Sequence, residues 1–184
     1  MATAAPSADR YSTGAIWFHW IIAALIIFNL IVGIFHESVP ALRALMPTHK
    51  AVGITVLVLT LARIAWRLGH RPPPFADSVT GWERTAAIAV RRIFYALMLL
   101  MPLSGWIMVS ASMHPRPLPW FGLFDVPLLP VAHAAGAPAG TTHAVLGYLF
   151  AALAVLHILG ALRHQLILRD SVLGRMIPGL LPRG

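Results

Sequence analysis

The chain of 184 residues contains no cysteine. Without thiols it cannot form disulfides, ligate an iron–sulfur cluster, use a thiolate nucleophile or attach haem covalently through a C-x-x-C-H motif. Any metal must therefore be bound without thiolate ligands. Histidine, with nine residues, is the abundant candidate ligand.

Charged residues are also scarce, at 11% of the chain, and only six of them are acidic. Hydrophobic residues make up 58%, which is more apolar surface than a soluble chain of this length can bury in one core. The mean hydropathy of +0.76 has the same implication. The composition predicts one membrane-embedded domain that spans residues 1–184.

Four apolar runs account for this hydropathy. Each contains about 18 to 21 residues, enough to cross the hydrocarbon core of a bilayer as a helix. Because lipid offers no partner for backbone polar groups, helices are the expected spanning structure. The sequence predicts an all-α membrane protein, a bundle of four transmembrane helices at roughly residues 15–35, 51–68, 93–111 and 144–162. The first run is too long for the apolar part of a cleaved signal peptide.

The basic residues are distributed unequally between the two ends of this bundle. One side carries eleven: Arg10, Arg63, Arg67, Arg71, Arg84, Arg91, Arg92, Arg163, Arg169, Arg175 and Arg183. The other side carries three: Arg43, Lys50 and Arg116. Since cytoplasmic segments are enriched in Lys and Arg, both termini are expected in the cytoplasm. The asymmetry accounts for most of the net charge of +8 without a nucleic-acid partner.

Four histidines fall in the predicted spans or at their ends, at two depths. His143 and His157 are 14 residues apart, which places them within about 40° of one helix face and about 21 Å apart along the axis. His49 begins the second run at the outer level, and His19 lies near the inner end of the first. The predicted pairs are His49 with His143 and His19 with His157. Facing imidazoles in a helix bundle are suitable axial ligands of a b-type haem.

Small and basic residues are arranged around these histidines in a way that fits such a cofactor. Gly53, Gly147 and Gly160 lie three or four residues after a histidine, on the same helix face, where a flat macrocycle could approach. Arg63 and Arg67 lie at the inner level and Lys50 at the outer level. These cations are the candidates to meet the anionic propionates of haem, although Arg67 could also extend to the cytoplasmic surface.

Other readings of the histidines remain open. Ionisable residues in membrane helices are functional by default, and they could form a proton relay. A zinc site is less suited to the pattern, because zinc prefers four ligands at one point and these four are split between two levels. A haem-free pathway for metal or protons lined by histidines is therefore the alternative of a different class. The remaining histidines outside these runs, His36, His70, His114 and His133, are expected to be solvated.

Several stretches together resemble the bacterial cytochrome b561 family of small quinone-linked di-haem cytochromes. They are RYSTGAIWFHW, THKAVGITVLVLTLARIAWR, FYALMLLMPLSGW and THAVLGYLFAALAVLHILGALRHQLILRDSVLGRMIP, which together span nearly the whole chain. The resemblance implies two haem b groups ligated by His19, His49, His143 and His157. It also implies electron exchange with ubiquinone in the bacterial inner membrane and, for one characterised type, oxidation of superoxide at the periplasmic face.

The chain departs from the family pattern at one place. Before the aromatic residue of the third run, where the family commonly has a histidine, it has Arg91 and Arg92. A proton or quinone role for that histidine does not carry over.

If superoxide is the donor, Lys50, Arg43 and Arg116 are the expected attracting cations, because positive potential raises anion encounter rates. His164, seven residues after His157, is the candidate proton donor to ubiquinone, with a plain surface histidine as the alternative. Asp9 and Tyr11 are weaker candidates. The other mechanism that keeps the haems is a quinone-reactive cytochrome b anchor that exchanges electrons with a periplasmic redox partner.

Overall fold

The computed structural model describes residues 10–76, 78–114, 116–177 and 179, so Asp9 and Arg183 lie outside the described residues. Within them the helices are α1 (Thr13–Phe35), α2 (Pro40–Arg43), α3 (Met46–Gly69), α4 (Gly81–Ser110) and α5 (Gly136–Arg163). A two-stranded antiparallel hairpin, β1 (Pro119–Trp120) and β2 (Phe124–Asp125), follows α4. A 3-10 turn (His133–Ala135) precedes α5 and a π-helical turn (His164–Leu168) follows it.

The four long helices α1, α3, α4 and α5 have the length and composition to cross a membrane. Large apolar side chains point outward from the bundle, among them Ile21, Ile27 and Ile31 on α1 and Leu149 and Leu156 on α5. A surface of this kind is stable in lipid rather than in water. The predicted all-α membrane bundle of four transmembrane helices is confirmed.

Three of these helices begin five or more residues earlier than the apolar runs predict. α4 begins at Gly81 rather than 93, because its first turns carry charged residues such as Glu83 and Arg84 that hydropathy does not count as membrane helix. α5 begins at Gly136 rather than 144, and α3 at Met46 rather than 51. The early starts place His49 and His143 inside helices, where their ring directions are fixed by the helical backbone.

The helices pack in a closed ring. α1 lies against α3 and α5, and α4 lies against the same two helices from the other side. At mid-height the core is a cluster of Ile22, Leu97, Met98 and Phe150. Phe150 is seven residues from both His143 and His157, about 10 Å along the axis in each direction. An apolar layer therefore separates the two histidine levels.

Local contacts bring the start of α1 and the end of α3 to the same end of the bundle. Ser12 caps α1, since its Oγ accepts a hydrogen bond from the backbone N–H of Ala15 at 3.3 Å. The indole Nε1 of Trp66, near the end of α3, donates to the same oxygen at 3.3 Å. Arg163 at the end of α5 pairs with Glu83 at the start of α4 at 2.8 Å. We call this end, which carries the excess of arginine, the basic end of the bundle.

At the opposite end, the Pro- and Gly-rich segment between α4 and α5 folds back onto the helices. Trp120 of β1 donates through Nε1 to the hydroxyl of Thr55 on α3 at 3.0 Å. Trp106 of α4 donates to the carbonyl of Pro127 at 3.0 Å. Leu118, which precedes the hairpin, is buried. The segment therefore covers the end of the bundle where His49 and His143 lie.

Candidate functional site: two facing histidine pairs

The first pair joins α3 and α5. The ring centres of His49 and His143 are 6.2 Å apart and their planes are inclined by 76°. His49 lies in the first turns of α3 and His143 two turns inside α5. This pair lies at the hairpin end of the bundle, and we call it the outer pair.

The second pair joins α1 and α5 with nearly the same geometry. The ring centres of His19 and His157 are 6.3 Å apart, and the planes are inclined by 74°. Phe94 of α4 packs edge-on against His157 at 5.2 Å. This inner pair lies toward the basic end. The structure thus brings together the same partners that the residue spacing predicts.

The separation within each pair fits one metal ion between two rings. An imidazole nitrogen lies about 2 Å from a metal that it binds and about 1 Å from its own ring centre, so two rings on opposite sides of an ion stand roughly 6 Å apart. In the part of the chain that the structure describes, no group of three or more His, Cys, Asp or Glu side chains converges as a metal site. Each pair supplies two ligands only, which suits the axial positions of a haem and not a tetrahedral zinc site.

Contacts at Nδ1 fix the ring orientation of His143. That nitrogen lies 3.0 Å from the carbonyl oxygen of Met101 and 3.2 Å from the hydroxyl of Ser104, both on α4. A carbonyl oxygen can only accept, so Nδ1 carries the hydrogen. Nε2 is then the nitrogen with the free lone pair, as a metal ligand requires.

Two glycines that the sequence argument did not select permit the rings of the outer pair to lie where they do. A Cβ at Gly105 of α4 would stand 2.9 Å from Cε1 of His143, and a Cβ at Gly33 of α1 would stand 3.1 Å from Cε1 of His49. Both contacts are shorter than an ordinary side-chain contact. The rings therefore lie directly against the backbone of α4 and α1.

His49 is held through its backbone rather than its ring. The side-chain amide of Asn29 on α1 donates to the carbonyl of His49 at 3.1 Å. Nδ1 of His49 and Oδ1 of Asn29 are buried, and among the described residues neither has a hydrogen-bond partner. Buried polar atoms of this kind are uncommon unless a bound group or water satisfies them. Their position beside the ring pair fits a cofactor site.

A cavity of about 410 Å³ surrounds the outer pair between α1, α3, α4 and α5. Its size falls within the range of small-molecule and cofactor sites. The lining includes the predicted residues Gly53, Gly147 and Lys50. His36 also lines it, with Nδ1 2.8 Å from the carbonyl of Gly33. His36 follows the last residue of α1 and is half-buried in this wall.

The two other cations predicted at the outer side lie farther from the rings. Arg43, the last residue of α2, is exposed and donates to the carbonyl oxygen of Glu37 at 3.0 Å. Arg116 is exposed in the segment before β1. Of the three predicted cations, Lys50 is the one in the cavity wall.

At the inner level two guanidinium groups share one aromatic ring. Arg63 lies 5.7 Å and Arg67 6.0 Å from the ring centre of Tyr95. Arg63 is also near enough to His19 to act on it electrostatically. At Gly160 a Cβ would meet no atom of the described residues within 4 Å. Arg91, at the position where the chain departs from the family pattern, lies over the ring of Phe75 at 5.8 Å.

His164 is not a plain surface residue, although this was one reading of its position. Its Nδ1 lies 2.7 Å from Oδ2 of Asp170, and the two side chains are only 15% and 12% exposed. Burial would raise the pKa of Asp170, but the hydrogen bonds from His164, Val172 and Ser78 outweigh burial and lower it. The sequence argument missed Asp170, whose one signal is its position six residues after His164.

The family model described as prokaryotic cytochrome b561 matches residues 10–179 of the chain. Members of this family bind haem b. Among curated proteins, "Cytochrome b561 homolog 2" of Escherichia coli (strain K12) is 30% identical over 182 residues, which cover 92% of either chain. "Cytochrome b562" of Cereibacter sphaeroides is 31% identical over 175 residues, 91% of this chain and 94% of that protein. "Probable superoxide oxidase CybB" of Yersinia pestis is 28% identical over 184 residues, 92% of this chain and 96% of that protein.

Proposed function

Because this chain belongs to the prokaryotic cytochrome b561 family, a family of membrane electron-transfer proteins, we propose that it takes electrons from superoxide and reduces ubiquinone to ubiquinol. The observation that carries the proposal is the pair of matched ring separations, 6.2 and 6.3 Å, at two levels of the bundle. The similarity to a probable superoxide oxidase supports the choice of donor.

In this proposal the chain holds two haem b groups, one between His49 and His143 and one between His19 and His157. When bound, haem supplies reversible one-electron transfer. Two histidines at each level would hold each haem, and would then leave no coordination position for a substrate. Superoxide and ubiquinone suit such a protein, because both react by gain or loss of single electrons.

The overall reaction consumes two superoxide anions, one ubiquinone and two protons, and it yields two dioxygen molecules and one ubiquinol. Lys50 in the outer cavity wall, with Arg43 and Arg116 nearby on the outer side, supplies positive potential that draws superoxide toward the outer pair. His164 at the basic end supplies protons to ubiquinone. The excess of arginine at that end supports a location in the bacterial inner membrane with both termini in the cytoplasm.

The proposal is tested with detergent-purified protein in two steps. A reduced-minus-oxidised spectrum with haem quantified per chain is expected to give two low-spin haem b groups. Ubiquinone reduction is then followed with an enzymatic superoxide source and, separately, with a chemical one-electron reductant. Reduction by both donors supports the proposal. If only the chemical donor supports reduction, the electron donor is a periplasmic redox partner and not superoxide. If the purified protein is colourless, the haem-free metal or proton pathway is the function that remains.

The inner arginines give a second expected result. Arg63→Gln is expected to lower the midpoint potential of the inner haem by roughly 50 mV, because a guanidinium near His19 stabilises the electron added there. Potentiometric titration measures the shift. Arg67→Gln, one turn farther toward the basic end, is the matched control and is expected to change the potential less. Equal shifts for both variants would contradict the assignment of Arg63 to the inner site.

A further inference from the structure

The couple of His164 and Asp170 is built at a sharp change in backbone direction. α5 ends at Arg163, and residues 164–168 form a π-helical turn. Arg169 then adopts a left-handed conformation with φ of 52°, and the backbone N–H of Asp170 donates to the carbonyl of His164 at 3.2 Å. This reversal brings the Asp170 carboxylate back to the ring of His164.

Each oxygen of the Asp170 carboxylate has its own partner. Oδ2 faces Nδ1 of His164 at 2.7 Å, and Oδ1 accepts from the backbone N–H of Val172 at 3.0 Å. Ser78, from the segment between α3 and α4, adds a side-chain hydrogen bond. A carboxylate with a partner on each oxygen is held in one orientation, so it fixes the ring that it contacts.

The segment that carries Asp170 is tied to the rest of the basic end. Trp20, next to the inner-pair histidine His19, donates through Nε1 to the carbonyl of Met176 at 3.0 Å. The guanidinium of Arg175 donates to the carbonyl of Pro74. His164 itself lies seven residues, about 10 Å along the axis, beyond His157 on the same helix face. The couple thus lies between the inner pair and the aqueous side.

We infer that Asp170 is a positioning residue that holds His164 for proton transfer to ubiquinone, an inference that rests on the proposed quinone reduction. The carboxylate accepts from Nδ1–H and turns Nε2 toward the quinone. In the transfer, the Nε2–H bond of the imidazolium breaks as an O–H bond forms on the reduced quinone. Cytoplasmic water then returns a proton to Nε2. The hydrogen on Nδ1 stays on the ring and continues to donate to Asp170.

Three arginines lie close to the couple along the chain: Arg163, Arg169 and Arg175. Arg163 on the same helix is directed to Glu83 of α4 at 2.8 Å. Arg169 follows the π-helical turn and Arg175 lies on the carbonyl of Pro74. Since the pKa of Asp170 is lowered, the carboxylate is ionised at neutral pH, and its contact with the ring is lost only as the pH falls through that lowered value.

The test is ubiquinone reduction by the purified holoprotein as a function of pH, with superoxide and with the chemical reductant. Asp170→Asn is expected to lower kcat about 10- to 100-fold, with the KM for ubiquinone and the haem spectrum unchanged. The loss of rate is expected to be greatest at the alkaline end of the pH range, because the variant has no carboxylate to stabilise the protonated ring of His164. Asp170→Glu is expected to recover most of the rate, and Asp125→Asn, at the hairpin end, is the matched control.

A second readout does not depend on turnover. NMR of histidine labelled with ¹⁵N is expected to show the neutral His164 ring with its hydrogen on Nδ1 in the native protein and a mixture of tautomers in Asp170→Asn. An Asp170→Asn variant with native tautomer, rate and pH profile would overturn the inference alone. Native protein that reduces no ubiquinone from either donor would overturn the proposed function, and the inference with it.

Discussion

Replacing His143 with leucine is expected to remove haem from the outer site alone. The variant should then contain one haem per chain instead of two, and superoxide-dependent ubiquinone reduction should fall to the uncatalysed background. Of the two proposed outer ligands, His143 is the one whose ring is fixed by α4, through Met101 and Ser104. Leucine has a similar volume and no metal-binding atom, so the helix packing at this level is retained while the ligand is lost.

The measurement is haem quantified per chain together with the reduced-minus-oxidised spectrum. His157→Leu is the reciprocal variant and is expected to lose the inner haem while the outer one remains. His114→Leu, at an exposed position in the segment after α4, is the matched control and should retain both. If His143→Leu kept two haems, or lost both while the protein stayed folded, the division of the four histidines into two pairs would be wrong.

The histidine pairs could be predicted because they depend on helix periodicity and on the direction in which each run crosses the membrane. Fourteen residues are nearly four full turns, so His143 and His157 must share a face whatever surrounds them. The depth of His19 and His49 follows from the direction in which each run crosses the membrane. In the four-helix bundle the structure brings these residues together at 6.2 and 6.3 Å.

Helix ends were harder to predict, for a physical reason. Hydropathy measures the part of a helix that lies in lipid, whereas the helix continues into water wherever its backbone remains hydrogen-bonded. The start of α4 contains GWERTAAIAVRR, which is a good helix sequence but not an apolar one. The short helix α2 and the β1–β2 hairpin were also outside the reach of the apolar pattern.

The contacts around the rings depend on how far apart the helices lie and how each is rotated. Gly33 and Gly105 are on helices other than those that carry the adjacent histidines, so no spacing along the chain connects them. The glycines that spacing did select do not touch the histidine rings: a Cβ at Gly53 would be 3.7 Å from Asn29 and one at Gly147 would be 3.2 Å from Met101. Asp170 reaches His164 only because the chain reverses after the π-helical turn, and no spacing along the sequence indicates that reversal.

The second large effect is expected from Gly105→Val, which changes no ligand. A Cβ at this position would stand 2.9 Å from Cε1 and 3.1 Å from Nδ1 of His143, and valine adds two methyl groups to it. The ring must then leave α4, which breaks the contact of Nδ1 with Met101 and moves Nε2 away from the line between the two rings. We expect the outer haem to be lost and the inner haem to be retained.

Gly105→Ala gives the graded form of the same prediction. Overpacking of a close contact costs about 1 to 3 kcal/mol, so the affinity of the outer site for haem should fall roughly 5- to 150-fold. Haem retention under dilution measures this loss, and the inner haem serves as the internal control for folding. Gly69→Ala, at the exposed end of α3 with nothing within 4 Å of its Cβ position, should leave both haems in place. Native haem retention in both Gly105 variants would mean that the position of the His143 ring against α4 does not determine binding at the outer site.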